Sequence, residues 1–325
     1  MRTKKLGNTE LELTVVGLGT WAIGGSWQYG WGHQEFEDSV AAIKEARDAD
    51  INWIDTAPIY GCGRSEEVVG TVLKRMNWKP LIATKCGLLW NEKREKVNCL
   101  KTESIIKECE DSLKRLKVEV IDLYQMHWPE PDELIEEAWD AMAKLVQQGK
   151  VRYLGVSNFS ISQMKRAAEI HPIASLQPPY SMIRRDIENE ITDFCLENNI
   201  GIVAYSPMQQ GLLTGKYNKS KVKELPADDN RVTRPDFNEP VLSINLEMIE
   251  ELKRMASNDG KTVAQLAISW AVHNPAVTAA IVGARRSGQI GETAAAGDYI
   301  LTDEQMSRIR ELLEWRDEKI AEKMR

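Results

Sequence analysis

The chain has 325 residues, of which 42% are hydrophobic, and its formal net charge is −7. This length would suit two average domains, but α/β barrels often use it as one unit, so we expect a single domain over residues 1–325. Basic residues alternate with acidic ones, which argues against a nucleic-acid-binding face, and no apolar run approaches the roughly 20 residues of a membrane helix. The start is polar and the five cysteines form no C-x-x-C pair, so we expect a cytoplasmic protein with reduced thiols and no metal site.

Short apolar runs rich in valine and isoleucine alternate with amphipathic stretches, a rhythm that predicts parallel strands joined by crossover helices. Before them, apolar residues on both sides of the turn Gly7-Asn8-Thr9 predict a β-hairpin, which could plug the floor of a barrel. Helices are predicted to begin at Thr102, at Asp132 and near Ser160, and Gly149 is predicted to end the second of these. The eight strands predicted after the hairpin cover 15–18, 51–55, 81–85, 120–126, 153–156, 174–177, 201–205 and 279–282.

Eight strands with helices between them favour a closed (β/α)8 TIM barrel over an open, doubly wound sheet. An open dinucleotide-binding sheet would need a Gly-x-Gly-x-x-Gly motif after its first strand, and the sequence has none there. The polar segment 209–240, between the seventh and eighth strands, is longer than a minimal barrel needs. We expect it to be either a functional lid or disordered.

Four polar residues follow neighbouring strands at the positions where barrels of this class carry their active sites. Asp55 ends the second strand, Tyr60 lies in the loop after it, Lys85 ends the third strand and His127 follows the fourth. Each one alone has an ordinary explanation as a turn cap, a packing aromatic or a core residue. Because the three strands are barrel neighbours, we expect the four side chains to converge on one mouth.

The residue types fit carbonyl reduction. Hydride addition places negative charge on the carbonyl oxygen, which must then be protonated, and a phenol with an ordinary pKa of about 10 is a poor donor near neutral pH. We expect the Lys85 ammonium to lower the pKa of Tyr60, and Asp55 to pair with Lys85 and hold it in place. His127 would donate a hydrogen bond that orients the carbonyl oxygen.

Beyond these residues, the sequence resembles the aldo-keto reductase superfamily over essentially the whole chain. The closest branch is similar to the bacterial stress-response reductases, which also resemble the potassium-channel β subunits. The resemblance implies catalysis by the four residues already named. The matching motifs are Gly17-Leu18-Gly19-Thr20-Trp21, Asp55-Thr56-Ala57 with Tyr60-Gly61, Lys85, His127, Gly155-Val156-Ser157-Asn158-Phe159, Gln177 and Tyr205-Ser206-Pro207.

The resemblance also implies the contacts of a nicotinamide cofactor, NADP(H). Ser157, Asn158 and Gln177 would hold the carboxamide, and Tyr205 would stack on the nicotinamide ring. The residue after Glu292, usually asparagine in the family, is Thr293 here, so one adenine contact is expected to differ. The other implied cofactor residues are Gly19, Thr20, Trp21, Asp55, Ser206, Pro207, Met208, Gly211, Leu213, Lys216, Gly283, Ala284, Arg285, Arg286, Gln289 and Glu292.

Arg285 and Arg286, which directly follow the eighth strand, predict a preference for NADPH over NADH. The two cofactors differ by a 2′-phosphate, and guanidinium groups bind phosphate with a fixed fork of donors. A helix start near Ser287 would add amide donors and a favourable dipole, with Gln289 assisting. We expect Arg286 to be the principal ligand, although a solvated helix end would also explain the pair.

Aromatic residues cluster in the loops around the predicted mouth. Any one of them is as readily explained by packing, but several together indicate an apolar pocket for a small carbonyl substrate. The predicted pocket consists of Trp21, Trp27, Tyr29, Trp31, Tyr60, Trp90, His127 and Trp128.

Two other readings remain open at this point. A regulatory subunit resembling the channel β subunits would keep the barrel and the cofactor as a sensor. An isomerase or aldolase would use Lys85 to form a Schiff base, but its Asp and Tyr partners indicate a charged lysine instead.

Overall fold

The eight predicted barrel strands form a closed parallel barrel in the computed structural model, which describes residues 1–27, 29–30, 32–226 and 229–324. The predicted TIM barrel is thus confirmed. The barrel closes where the last strand pairs with the first, with Ala280 opposite Val16. None of the helices in these described ranges is both long and apolar enough to cross a membrane.

The strands run in the following order along the chain, with β3, β4, β5 and β8 to β12 forming the barrel. They are β1 (Thr3–Lys5), β2 (Glu12–Thr14), β3 (Val16–Gly19), β4 (Trp53–Asp55), β5 (Leu81–Cys86), β6 (Leu88–Trp90), β7 (Lys96–Asn98), β8 (Ile121–Met126), β9 (Val151–Ser157), β10 (Ser175–Gln177), β11 (Gly201–Ala204) and β12 (Val277–Gly283).

The α-helices pack around this barrel. They are α1 (Phe36–Asp48), α2 (Arg64–Met76), α3 (Thr102–Leu116), α4 (Ile135–Gln147), α5 (Ile161–Ala168), α6 (Ile191–Glu197), α7 (Lys219–Lys223), α8 (Val241–Asn258), α9 (Val263–His273), α10 (Gln289–Ala294) and α11 (Asp303–Lys323).

The predicted hairpin forms from β1 and β2 and closes the floor of the barrel. Its leucines pack against side chains that the barrel strands point inward. Gly17 makes room for the Trp53 ring, because a Cβ at that position would lie 2.0 Å from a ring carbon. The buried cluster at the floor contains Leu6, Leu11, Leu13, Trp53, Ala83, Leu123, Ala174, Val203, Ala279 and Ile281.

The predicted helix ends agree with the structure except at α4. Helix α3 begins at Thr102, and a capping box of Ser160 and Gln163 begins α5. At α4, the residues Asp132–Leu134 form a 3-10 turn, so the α-helix starts three residues later than predicted, at Ile135. Gly149, with a φ of 73°, follows the end of this helix as expected.

The segment 209–240 contains short structured pieces within its described residues. Helix α7 lies between 3-10 turns at Gln209–Thr214 and at Asn230–Thr233. Leu213 and Phe237 of this segment are buried in the main core. These anchors favour a lid over a disordered loop.

Candidate active site

The structure brings together the four residues predicted to carry the chemistry. Asp55 is the last residue of β4, and Lys85 lies near the end of β5, both of them buried. Tyr60, half-buried, lies in the loop after β4, and His127 directly follows β8. Since parallel strands end on the same side of a barrel, all four side chains lie at one mouth.

Lys85 is at the centre of the group. Its Nζ lies 2.7 Å from Asp55 Oδ1, 2.9 Å from the carbonyl oxygen of Thr56 and 3.1 Å from the hydroxyl of Tyr60. Burial lowers the pKa of Lys85, but Asp55 and Tyr60 together outweigh that effect, so its pKa is raised. The lysine is therefore charged at neutral pH, which argues against a Schiff-base role.

The pKa of Tyr60 departs from the sequence-based expectation. Burial raises it, and although Lys85 lowers it as expected, Asp55 raises it again, so the net direction is upward from 10. The expectation of a lowered pKa is thus wrong for the site without cofactor, because burial, with a smaller contribution from Asp55, outweighs the lowering effect of Lys85. Tyr60 keeps its proton at neutral pH.

His127 lies edge-on to Tyr60, with the ring centroids 5.9 Å apart. Burial, followed by the charges of Lys85 and Lys96, holds the pKa of His127 well below 6.5. Its imidazole is therefore neutral at neutral pH and has one N–H to donate. The backbone carbonyl of His127 accepts a hydrogen bond from Asn158 Nδ2 at 3.1 Å.

The residues expected to hold the carboxamide form a connected network next to this group. Ser157 Oγ donates to the carbonyl oxygen of Gln177 at 2.8 Å, and Gln177 Nε2 donates to Asp55 Oδ2 at 2.8 Å. Asn158 Nδ2 donates to Ser157 Oγ, and the Tyr205 hydroxyl donates to Asn158 Oδ1, both at 3.0 Å. The predicted cradle is therefore continuous with the carboxylate of Asp55.

Gln125 belongs to this network and was missed in the sequence. Its Nε2 lies 3.3 Å from Asp55 Oδ2, and its Oε1 accepts a hydrogen bond from Gln177 Nε2 at 3.0 Å. The signal was available, since Gln125 is a polar residue within an apolar strand and two positions before His127. A buried amide in a strand needs partners, and here those partners are site residues.

The segment after β11 offers polar groups that suit a phosphate-bearing cofactor. Ser206 has a φ of 55° and Gly211 a φ of 93°, so the backbone turns sharply beside β11. The Leu213 side chain is buried, which leaves only its backbone for a ligand. Lys216 Nζ lies 3.5 Å from Glu292 Oε2, so two predicted cofactor residues from distant segments meet. Of the other predicted residues here, Pro207 and Met208 follow Ser206 directly.

Orphaned polar atoms provide a direct test of whether a cofactor fits. Within the described ranges, six buried side-chain polar atoms have no hydrogen-bond partner, and three of them are Gln210 Oε1, Asn230 Oδ1 and Arg234 Nε. Buried polar atoms in folded proteins normally have partners, so these three, all on the segment 209–240, fit a site that a polar ligand completes. Arg184 and Arg234, which the sequence did not single out, lie close enough to Tyr205 to lower its pKa, although burial makes the net direction upward.

The turn after β12 is held by side chains from its own helix and from α1. Gln289 Oε1 accepts from the backbone amides of Arg285 and Arg286 at 2.7 and 3.1 Å. The Glu45 carboxylate contacts the Ser287 hydroxyl and accepts from the amide of Gly288 at 2.7 and 2.8 Å. Helix α10 begins close to the predicted start, but Glu45 already occupies donors that we expected to be available to a phosphate.

The remaining residues after β12 differ in their exposure and in their hydrogen bonds. Gly283 is exposed and open, whereas Ala284 is buried. The Thr293 hydroxyl donates to the carbonyl oxygen of Gln289 at 2.9 Å, so it is engaged within its own helix instead of replacing the amide of an asparagine.

Several predicted pocket aromatics surround Tyr60. The Trp27 ring lies 6.3 Å from that of Tyr60 and 5.4 Å from that of Tyr29. Trp90 packs with Tyr60 against a small apolar cluster, and Trp128 is 37% exposed beside His127.

At the first strand end, Gly19 and Thr20 lead into a 3-10 turn at Trp21–Gly24 that approaches the Tyr60 loop closely. A Cβ at Gly24 would lie 2.7 Å from the carbonyl carbon of Tyr60. Trp21 therefore lies on a turn that borders the mouth. Trp31 falls outside the described residues.

A closed parallel barrel with an Asp–Lys–Tyr cluster and an amide-rich cradle at its strand-end mouth is the arrangement expected of a nicotinamide-dependent oxidoreductase. The model for the Aldo/keto reductase family matches residues 15–314. The chain belongs to this family, as its motifs predicted, and is an NAD(P)H-dependent oxidoreductase.

Individual relatives are similar over almost the full barrel. The aldo-keto reductase YhdN of Bacillus subtilis (strain 168) is 37% identical over 317 residues, covering 97% of this chain and 94% of that protein. The NADH-specific methylglyoxal reductase of Escherichia coli (strain K12) is 31% identical over 329 residues, covering 97% of this chain and 99% of that protein. The structure of the glycerol dehydrogenase AKR11B4 from Gluconobacter oxydans has a TM-score of 0.89 at 40% identity, covering 96% of this chain and 94% of that chain.

Proposed function

We propose that this protein reduces aldehydes and ketones to alcohols, reversibly, with NADPH as the cofactor and Tyr60 as the proton donor. The observation that carries the proposal is the buried Lys85 ammonium, 2.7 Å from Asp55 Oδ1 and 3.1 Å from the Tyr60 hydroxyl, at the mouth of the barrel. When bound, the reduced nicotinamide supplies the hydride. The chain's own residues supply the proton, the orientation and the electrostatic stabilisation.

Tyr60 donates its proton to the carbonyl oxygen as that oxygen gains negative charge. Its raised pKa keeps it protonated before the reaction, so the proton is present when it is needed. The adjacent Lys85 ammonium stabilises the phenolate that forms, and Asp55 holds the ammonium in place. A general acid positioned in this way typically contributes about 10²- to 10⁴-fold in rate.

His127 orients the substrate. Its low pKa leaves it neutral, so it directs an N–H at the carbonyl oxygen without adding a second positive charge beside Lys85. The edge-on packing of His127 and Tyr60 lets both donors approach one oxygen atom. Two donors on one oxygen stabilise the charge that develops there.

The polar cradle suits the cofactor. The amide and hydroxyl groups of Ser157, Asn158 and Gln177 match the donors and acceptors of a carboxamide, and the ring of Tyr205 would stack on the nicotinamide. The exposed guanidinium of Arg286 suits a 2′-phosphate, which supports NADPH. The Escherichia coli relative is named as NADH-specific, so cofactor preference within such barrels must come from local contacts of this kind.

The proposal is tested by NADPH oxidation against a panel of aldehydes, ketones, keto esters and sugars. We expect activity with aldehydes and activated ketones that carry a bulky apolar group, because aromatic rings border Tyr60. A silent panel together with tight cofactor binding would favour the regulatory subunit instead.

The matched variant is Tyr60→Phe, which removes only the hydroxyl. We expect kcat to fall by about 10²-fold or more while the Kd for NADPH stays nearly unchanged, because the hydroxyl acts only when the oxygen gains charge. A variant that keeps more than about a tenth of the wild-type kcat would contradict the assignment of Tyr60 as the acid.

A further inference from the structure

Arg285 and Arg286 are neighbours in the chain, yet their guanidinium groups differ in exposure and in hydrogen bonding. Arg285 donates from one terminal nitrogen to the carbonyl oxygen of His33 at 2.9 Å and from Nε to Gln34 Oε1 at 3.3 Å. Its own carbonyl oxygen accepts from Gln34 Nε2 at 2.5 Å. Arg286 is exposed, and across the described ranges its guanidinium makes no hydrogen bond or ion pair. Of the two arginines, Arg286 therefore has all of its donors open, whereas Arg285 has some of them engaged.

The partner of Arg285 is a buried amide that joins three loops at the mouth. Gln34 is 3% exposed, although it is polar. Its backbone carbonyl accepts a hydrogen bond from Arg64 at 2.6 Å, and Arg64 begins α2 directly after the Tyr60 loop. Gln34 thus connects the segment 25–34 both to the end of β12 and to the start of α2.

The described residues of the segment 25–34 form one wall of the mouth beside Tyr60. Trp27 packs 6.3 Å from Tyr60, and Tyr29 packs edge-on against Trp27. The indole Nε1 of Trp27 is buried and finds no hydrogen-bond partner among the residues that the structure describes. At its far end this wall is held by the contacts of Gln34 with Arg285.

We propose that Arg285 is a positioning residue that fastens the segment 25–34 to the turn after β12 and so shapes the carbonyl pocket, which leaves Arg286 as the arginine that binds the 2′-phosphate of NADPH. The part concerning Arg286 rests on the proposed function, whereas the part concerning Arg285 does not. Nε and one terminal nitrogen of Arg285 already donate to Gln34 and His33, so a phosphate that bound along this edge of the guanidinium would have to replace those contacts. Arg286 can offer two parallel N–H groups at no such cost.

The test compares variants that separate charge from hydrogen bonding. Arg285→Lys keeps the charge but loses the fork, and Gln34→Leu removes the acceptor while leaving both arginines. Arg286→Ala is the matched control at the adjacent position. For each variant, the Kd for NADPH and for NADH is measured by isothermal titration calorimetry, and chymotrypsin cleavage after Trp27 and Tyr29 is followed over time. Steady-state kinetics use 4-nitrobenzaldehyde as a bulky probe and methylglyoxal as a small one.

For Arg285→Lys and Gln34→Leu we expect chymotrypsin cleavage about tenfold faster and KM for 4-nitrobenzaldehyde raised about five- to tenfold, because hydrogen bonds to a charged group are lost. The kcat, the KM for methylglyoxal and the Kd for NADPH should each stay within about threefold. The double variant Gln34→Leu, Arg285→Lys should show little more effect than either single variant, since both substitutions break the same contact. For Arg286→Ala, the Kd for NADPH should rise about 10- to 150-fold with the Kd for NADH and the cleavage rate unchanged.

Arg285→Lys would overturn the proposal if it weakened NADPH binding as much as Arg286→Ala and left cleavage of the segment at the wild-type rate. Equal wild-type affinities for NADPH and NADH would remove the 2′-phosphate role of Arg286 and the NADPH part of the proposed function. The fastening role of Arg285 would still be decided by the proteolysis. A protein silent on every carbonyl would refute the proposed reductase, and the cleavage and affinity measurements would still decide the roles of both arginines.

Discussion

Two ends of the mouth differ in how their residues are held in place. One is the candidate catalytic end around Lys85, and the other is the turn 285–288 after β12. At the catalytic end, Asp55 and Lys85 are buried on adjacent barrel strands, and their contact follows from strand pairing. At the other end, the turn 285–288 is largely exposed and is held by Glu45 and Gln34, which are more than 240 positions away in the chain. The barrel therefore positions Asp55 and Lys85, whereas the cofactor selectivity that we propose would depend on side chains that can change without disturbing the barrel.

The largest losses of stability and activity should come from removing the positive charge of Lys85. Lys85→Met leaves the buried carboxylate of Asp55 without its ion-pair partner, which is expected to lower the free energy of unfolding by about 3–5 kcal/mol. It also removes the group that stabilises the Tyr60 phenolate, so kcat should fall about 10²-fold or more. Urea unfolding and steady-state kinetics measure the two losses.

The double variant Asp55→Asn, Lys85→Met separates stability from chemistry. Both charges are gone, so the free energy of unfolding should return to within about 1–2 kcal/mol of wild type, while kcat stays low. A single Lys85→Met variant as stable as wild type would show that the pair is not desolvated as the structure indicates.

The sequence predicted the barrel well because each barrel strand is a short run of β-branched and apolar residues that barely depends on distant contacts. It missed the hairpin of β6 and β7, since Lys96 and Asn98 on the second strand give no apolar alternation. The convergence of the four candidate residues at one mouth could also be predicted, because strand ends in a barrel share one side. The net direction of the pKa shift of Tyr60 could not be predicted from the sequence, because it depends on how burial weighs against the charges of Lys85 and Asp55.

Long-range contacts account for the rest of what the sequence could not reveal. The hydrogen bonds between Gln34 and Arg285 and between Glu45 and Gly288 leave no local pattern in the sequence, since each joins segments at opposite ends of the chain. The turn 285–288 is consequently the less predictable of the two regions.

A second prediction concerns a buried acid behind the catalytic end. Glu108 accepts from the amide of Gly87, two positions after Lys85, and from the Ser104 hydroxyl, both at 3.0 Å. Burial raises the pKa of Glu108 to about 7, against the lowering effect of these two donors. A folded-state pKa above the unfolded value of about 4.3 means that the folded protein binds the proton more tightly. The resulting stability is fully present at acid pH and is lost as pH rises through about 7.

Glu108→Gln should remove this pH dependence. Relative to the variant, wild type should lose on the order of 3 kcal/mol of unfolding free energy between pH 4 and pH 8. Urea unfolding at a series of pH values measures the difference. Glu133→Gln, an exposed carboxylate before α4, is the control and should run parallel to wild type. Parallel curves for wild type and Glu108→Gln would show that Glu108 titrates normally.

The smallest change in cofactor affinity should come from substituting Glu45 beside the turn 285–288. It tests whether selectivity for NADPH can change without a change at the candidate catalytic residues. The Glu45 carboxylate lies against Ser287 and the amide of Gly288, next to the arginine that we propose binds the 2′-phosphate. A negative charge there repels a phosphate but has little effect on a ribose hydroxyl. Glu45→Gln keeps an oxygen that can accept from Gly288, so the turn should persist while the charge is lost. Because partly exposed charges are screened, an effect of about 0.2–1 kcal/mol is expected, equivalent to a Kd for NADPH lowered by at most about fivefold, with that for NADH unchanged. The gain should shrink as ionic strength rises from about 0.01 to 1 M, since the Debye length falls from about 30 to 3 Å. If Glu45→Gln weakened both cofactors equally at every salt concentration, its role would be to hold the turn, and charge at that position would not set selectivity.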